Sequence, residues 1–125
     1  MELLTATTRA KDIATRVLAP AVSKNDAEGR FSTEAVAAFG ESGLLGLLVP
    51  KDRGGAGLGP RAMSEVVSAI AEVDPSTAMV YVMHCCGTAC LVSAPRSPRI
   101  DAAVTEIAQG KHLSTLAFSE AGSRS

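Results

Sequence analysis

Asp74-Pro-Ser-Thr-Ala-Met-Val-Tyr-Val-Met-His-Cys-Cys-Gly-Thr-Ala-Cys-Leu-Val-Ser-Ala-Pro95 decides the fold. Between its two ends there is no Asp, Glu, Lys or Arg. Asp74 suits a helix N-cap, because its carboxylate can accept from free amides of the first turn. Pro75 suits the first helical position, where no donor is needed. Pro95 disfavours helix in the residue before it and so ends the segment. A helix apolar on every side is expected to be buried on every side. The stretch therefore reads as the central helix of a small helical domain, with Met79, Val82, Met83, Cys86 and Cys90 among its most buried side chains. A membrane span is the competing reading, since the length would cross a bilayer. Ser76, Thr77, His84, Gly87, Thr88 and Ser93 dilute its hydropathy, and neither end carries a basic cluster or an aromatic belt. No membrane span is expected.

The rest of the composition agrees with a helical domain. The chain has 125 residues, enough for one core. Its formal charge of -1 singles out no polyanion, so no nucleic-acid partner is expected. Aromatic residues make up only 3%, which leaves Ala, Val, Leu, Ile and Met to fill the core. Residues 1–18 are interrupted by Arg9, Lys11, Asp12 and Arg16 and do not read as a signal peptide, which points to a cytoplasmic protein. Cys85, Cys86 and Cys90 are too few and too close for a disulfide framework. They read as reduced, buried and structural. Only His84 lies near them, so no metal site is expected.

Outward from the central stretch, Leu3, Ala6, Ala10, Ile13 and Val17 share one helical face up to Pro20. Residues 23–30 are polar and read as a loop. Ser32 caps a second helix, with Glu34 in its positive first turn and Phe31 and Val36 placed as a hydrophobic staple. Residues 44–49 are an apolar run too short for a helix. The segment 50–60 holds Gly54, Gly55, Gly57 and Gly59. Its order is G-G-x-G-x-G rather than G-x-G-x-x-G, and no Lys-Ser or Lys-Thr follows, so it reads as a buried turn rather than a nucleotide loop. Pro60 opens a third helix with Met63, Val66, Val67, Ile70 and Val73 inward. Ser97 and Pro98 open the last one, lined by Ile100, Ala103, Val104 and Ile107 and stopped by Gly110. Residues 113–118 lack a helical stripe and read as the first strand of a β domain that is mostly missing.

Three segments in this order resemble the N-terminal part of the acyl-CoA dehydrogenase family. They are Leu45-Gly-Leu-Leu-Val-Pro-Lys-Asp-Arg-Gly-Gly-Ala-Gly57, Ile70-Ala-Glu-Val-Asp-Pro-Ser-Thr-Ala78, and Leu116-Ala-Phe-Ser-Glu-Ala-Gly-Ser123. The resemblance implies an all-α domain over 1–111, a helical bundle around a buried central helix, and the start of a middle β domain over 112–125. It implies FAD as cofactor and an acyl-CoA thioester as substrate, dehydrogenated between its α and β carbons. The implied partners are the remaining middle and C-terminal domains, a homo-oligomer (dimer or tetramer), and electron-transfer flavoprotein or another acceptor.

The same resemblance places Leu116, Phe118, Ser119, Gly122 and Ser123 at the flavin, with Ser123 also near the thioester ligand. It places Tyr81, His84 and Cys85 on the helix that walls the acyl pocket. The family's glutamate base belongs to the C-terminal domain, so no catalytic residue is expected here, Glu120 included, and the chain alone should be inactive. Arg124 stands where the family has Asp, and the turn before it is shorter. Two other readings stay open. One is a flavin-dependent monooxygenase or nitroalkane-oxidase-like member of the same fold, and the other is a non-enzymatic helical interaction module.

Overall fold

A computed structural model describes residues 1–117. Six α-helices follow in order: α1 (Leu3–Ile13), α2 (Val22–Glu28), α3 (Thr33–Glu41), α4 (Pro60–Ala71), α5 (Pro75–Ser93) and α6 (Pro98–Ala108). A π-helical turn, Ala14–Leu18, extends α1 toward Pro20, and a short 3₁₀ turn, Lys51–Arg53, precedes the glycine segment. The architecture is all-α, as the periodicity and caps predict. α4 packs between α1 and α5, and α6 lies along α5.

The starts of α5 and α6 form for the reasons legible in the sequence. Asp74 accepts from the Thr77 amide at 3.1 Å and from the Thr77 hydroxyl at 2.6 Å, closing the first turn of α5. Ser97 accepts from the Ile100 amide and starts α6. Ser32 holds the N-cap position of α3, but its side chain makes no capping bond.

Ala6, Ala10 and Ile13 of α1 meet Ala62, Val66, Ala69 and Ile70 of α4, with Leu18, Phe39, Leu44 and Leu47 filling the centre. Small residues at the α1 and α4 contact let two backbones approach without aromatic filler. A smaller cluster of Val49, Val104 and Ile107 joins α6 to the end of α5. Arg53 pairs with Asp101 at 2.8 Å and ties the 3₁₀ turn to α6, while Arg96 reaches the same carboxylate. Gly40 of α3 lies directly against the main chain of Gly110, and a Cβ on either residue would strike the other's carbonyl.

Beside the Ser32 cap, four further expectations about the helices, the cysteines and the terminal segment need correction. Residues 23–30 are not a loop, since most of them form α2, which ends at Gly29 in the left-handed conformation. α2 buries no side chain, so it carries no apolar stripe to read. It stands off the start of α5 across a cleft of about 670 Å³ lined by Val22, Phe31, Val36 and Val80.

The central helix is not buried on every side. Its core face is Thr77, Ala78, Tyr81, His84, Cys85 and Thr88, whereas Met79 is 61% exposed and Val82, Met83 and Cys86 are only partly covered. Uniform hydropathy says that a helix avoids water, not which side the rest of the chain covers. Length and composition would let Pro75–Ser93 cross a membrane. Its core face is instead occupied by α4 and the 44–49 run.

The three cysteines carry free thiols as expected, but only Cys85 is buried and Cys90 is exposed. Residues 113–117 form no strand, and no strand occurs among the described residues. A strand is defined by its ladder partner, and this segment lies against α5 instead. Phe118 falls outside the described residues.

Candidate functional site

The 44–49 run passes through the core without regular structure, so its main chain must find partners elsewhere. Leu44, Leu45 and Leu47 are buried against α5. The Tyr81 hydroxyl donates to the Leu44 carbonyl at 2.7 Å. His84 Nε2 lies 2.9 Å from the Leu45 carbonyl. The glycine segment closes the rest: Ala56 donates to Gly46, Leu58 to Leu47 and Gly57 to Val49. Gly54 and Gly55 donate to Lys51 and Pro50. Every amide from residue 54 to 58 is therefore spent inside the domain. A phosphate cradle needs such amides free and converging, so the segment is a clasp on the apolar run. It is not the buried turn expected, since only Ala56 is buried and Gly54, Gly57 and Gly59 are exposed.

His84 is fully buried, and both of its ring nitrogens are engaged. Ser114 donates its amide to Nδ1 at 3.0 Å. Nδ1 must then be the acceptor, which assigns the proton to Nε2 facing Leu45. Thr88 Oγ1 sits 3.5 Å from the same Nε2. Burial pushes the His84 pKa down, the Leu45 carbonyl opposes that, and His112 adds to it. The imidazole is neutral and already bonded on both sides.

Tyr81 and Cys85 share that inner face. Phe39 meets the Tyr81 ring edge-on, with centroids 5.3 Å apart. Burial raises the Tyr81 phenol well above its usual range. Burial also pushes the Cys85 thiol up to about 12, so it stays protonated and is no nucleophile at neutral pH.

The opposite face of α5 differs in kind. Met79, Met83, Cys86 and Cys90 recur at helical spacing, with Val82 beside them, and none is buried. Nothing in the sequence pattern separates this face from the inner one by hydropathy. Tyr81 and His84 do mark the inner side, because the buried main chain of the run takes its side-chain partners there, while Thr77 bonds Asp74 and Thr88 lies beside His84.

A third side of α5 carries the terminal segment. A Cβ at Gly87 would come within 2.7 Å of Ser114 Oγ and 2.9 Å of the Thr115 amide. Only a glycine lets the segment lie this close to the helix. Leu116 is half-buried on this segment. Phe118, Ser119, Gly122 and Ser123 lie outside the described residues. Among the described residues, no group of His, Cys, Asp and Glu is placed to hold a metal ion.

Helices capped in this order, an apolar run clasped by a glycine segment and a long uncharged helix define an N-terminal helical domain of a known kind. Residues 2–97 match the family described as acyl-CoA dehydrogenase, N-terminal domain, and the chain belongs to that family. It is 35% identical over 89 residues to the probable acyl-CoA dehydrogenase FadE25 of Mycobacterium leprae, a match over 71% of this chain and 22% of that protein. It is 30% identical over 80 residues to the probable acyl-CoA dehydrogenase FadE25 of Mycobacterium tuberculosis H37Rv, covering 64% of this chain and 21% of that protein. The matches span only about a fifth of the length of these relatives.

Proposed function

We propose that this chain is the helical wall of an FAD-dependent acyl-CoA dehydrogenase and that the exposed face of α5 borders the acyl chain of the thioester. The observation that carries the reading is the apolar stripe of Met79, Val82, Met83, Cys86 and Cys90 on the domain's longest helix, in which Met79 and Cys90 are exposed and the other three only partly covered. Methionine and cysteine side chains are soft and adaptable, which suits a surface that meets a flexible alkyl chain.

Tyr81, His84 and Cys85 then serve the pocket indirectly. They hold α5 in register on the 44–49 run and present the opposite face. FAD supplies the hydride acceptor when bound. The amides of the glycine segment are spent, so the flavin contacts fall to Leu116 and to the residues after Ala117 that the family resemblance implicates. The remaining domains supply the base and the rest of the flavin site, and oligomerisation and an electron acceptor complete the enzyme.

The test uses a protein holding this chain together with the family's middle and C-terminal domains. Met83→Phe fills the stripe and should shift the substrate preference toward shorter acyl chains, by about tenfold in the ratio of long-chain to short-chain kcat/KM. An unchanged chain-length profile for both Met79→Phe and Met83→Phe would remove α5 from the pocket. The 125-residue chain alone should neither retain FAD nor turn over acyl-CoA, since a held flavin, a base and a bound substrate must converge for reaction. Stoichiometric FAD binding by the chain alone would overturn the assignment.

A further inference from the structure

The terminal segment meets the helical domain at two adjacent points. One is the Ser114 amide on His84 Nδ1, and the other is the contact of Ser114 and Thr115 with the bare backbone at Gly87. His84 is held in turn by the Leu45 carbonyl on its far nitrogen. One buried ring thus joins three parts of the chain that are distant in sequence. Its tautomer is fixed by the fact that one neighbour is a donor and the other an acceptor.

We propose that His84 is a positioning residue. Through Ser114 it fixes the register of residues 112–117 along α5, and with it the point from which the residues proposed above for the flavin depart. This rests on the function proposed above. A hydrogen bond to a flavin edge requires placement within about half an ångström. A glycine gap alone permits close approach but does not fix register along the helix. A directional bond from one amide to one nitrogen does fix it. The ring cannot swivel to follow a drifting segment, because that would break its bond to the buried Leu45 carbonyl.

Two amide variants separate the two bonds of the ring. The oxygen of His84→Asn stands near the site of Nδ1 and can still accept from Ser114. The nitrogen of His84→Gln stands near Nε2 and can still donate to Leu45, but it offers Ser114 nothing. Hydrogen exchange of the Ser114 amide is followed in the chain by NMR, with α4 and α6 amides as internal controls. We expect the Ser114 amide to exchange about tenfold faster in His84→Gln, matching the loss of one hydrogen bond. In His84→Asn it should stay close to the wild-type rate. Equal Ser114 exchange in the two variants, or no change in either, would overturn the proposal.

If both variants lose the control protection as well, Gly87→Ala decides, because it leaves the ring untouched and obstructs only the segment. The ¹⁵N shift of Nδ1 should then move away from its hydrogen-bonded value, and an unmoved shift would count against the anchor. In the multi-domain protein, Gly87→Ala should alter the visible absorption band of bound FAD. A freed Ser114 with an unaltered flavin spectrum refutes the positioning role. A multi-domain protein that binds no FAD at all refutes the function on which the role rests.

Discussion

Tyr81→Phe removes a single oxygen atom from the centre of the domain. The ring is only 1% exposed and packs edge-on against Phe39, and phenylalanine keeps both features. What goes is the 2.7 Å bond to the Leu44 carbonyl. That carbonyl also accepts from the Leu47 amide at 3.2 Å, so it is not left unpaired. The loss is therefore the net value of one hydrogen bond, about 1 kcal/mol, rather than the larger penalty of an orphaned buried group.

His84→Leu is the informative contrast. Among the described residues the Leu45 carbonyl has His84 as its partner. The Ser114 amide loses its acceptor as well. About 3 kcal/mol is expected there, from one orphaned carbonyl and one lost amide bond. Urea unfolding of the chain, followed by circular dichroism, measures both. Tyr81→Phe should shift the midpoint with an unchanged slope, to an extent about a third of that for His84→Leu. Equal costs for the two variants, or a Tyr81→Phe chain as stable as wild type, would refute the claim that α5 side chains satisfy the main chain of the apolar run.

Gly40→Ala should destabilise by about 1–3 kcal/mol in thermal unfolding, although alanine is the better helix former, because its methyl group meets the Gly110 main chain and not a movable side chain. Asp74→Ala should cost about 1 kcal/mol through loss of the α5 cap, and Asp74→Asn less, as read by urea midpoints. The His84 pKa is lowered in the folded state, so the unfolded chain binds the proton more readily. Its contribution is then complete above about pH 6.5, the unfolded value, and fades as pH falls below that toward the folded value. Urea midpoints at pH 7.5 and 5.5 should differ more for the wild type than for His84→Asn.

The fold was legible wherever a local rule produced it. Asp74, Pro75, Ser97, Pro98 and Pro60 start helices for reasons of capping and missing donors that need no tertiary context. The stripe through Ala6, Ala10 and Ile13 shows the core face of α1 directly. α2 was illegible because it buries nothing, so no period marks it. The inner face of α5 was misread because hydropathy weights Met79 and Met83 above Thr77 and Thr88. The needs of the 44–49 carbonyls, remote in sequence, decide that face. The roles of Ser114 and Gly87 could not be read, since each is defined by the other across the fold. His84 was visible as a buried histidine, but its partners were not.

The clasped run at 44–49 also has a consequence for the order of folding. Tyr81 reaches Leu44 across 37 residues, and His84 reaches Leu45 across 39. α4 and α5, by contrast, are joined by a tight turn at 72–74 and can pair early at little loop-closure cost. We therefore expect the run to be captured after that hairpin exists to receive it, since both of its side-chain partners stand on α5. Substitutions in the run should accelerate unfolding while leaving the folding rate nearly unchanged, which is the kinetic mark of contacts made after the rate-limiting step.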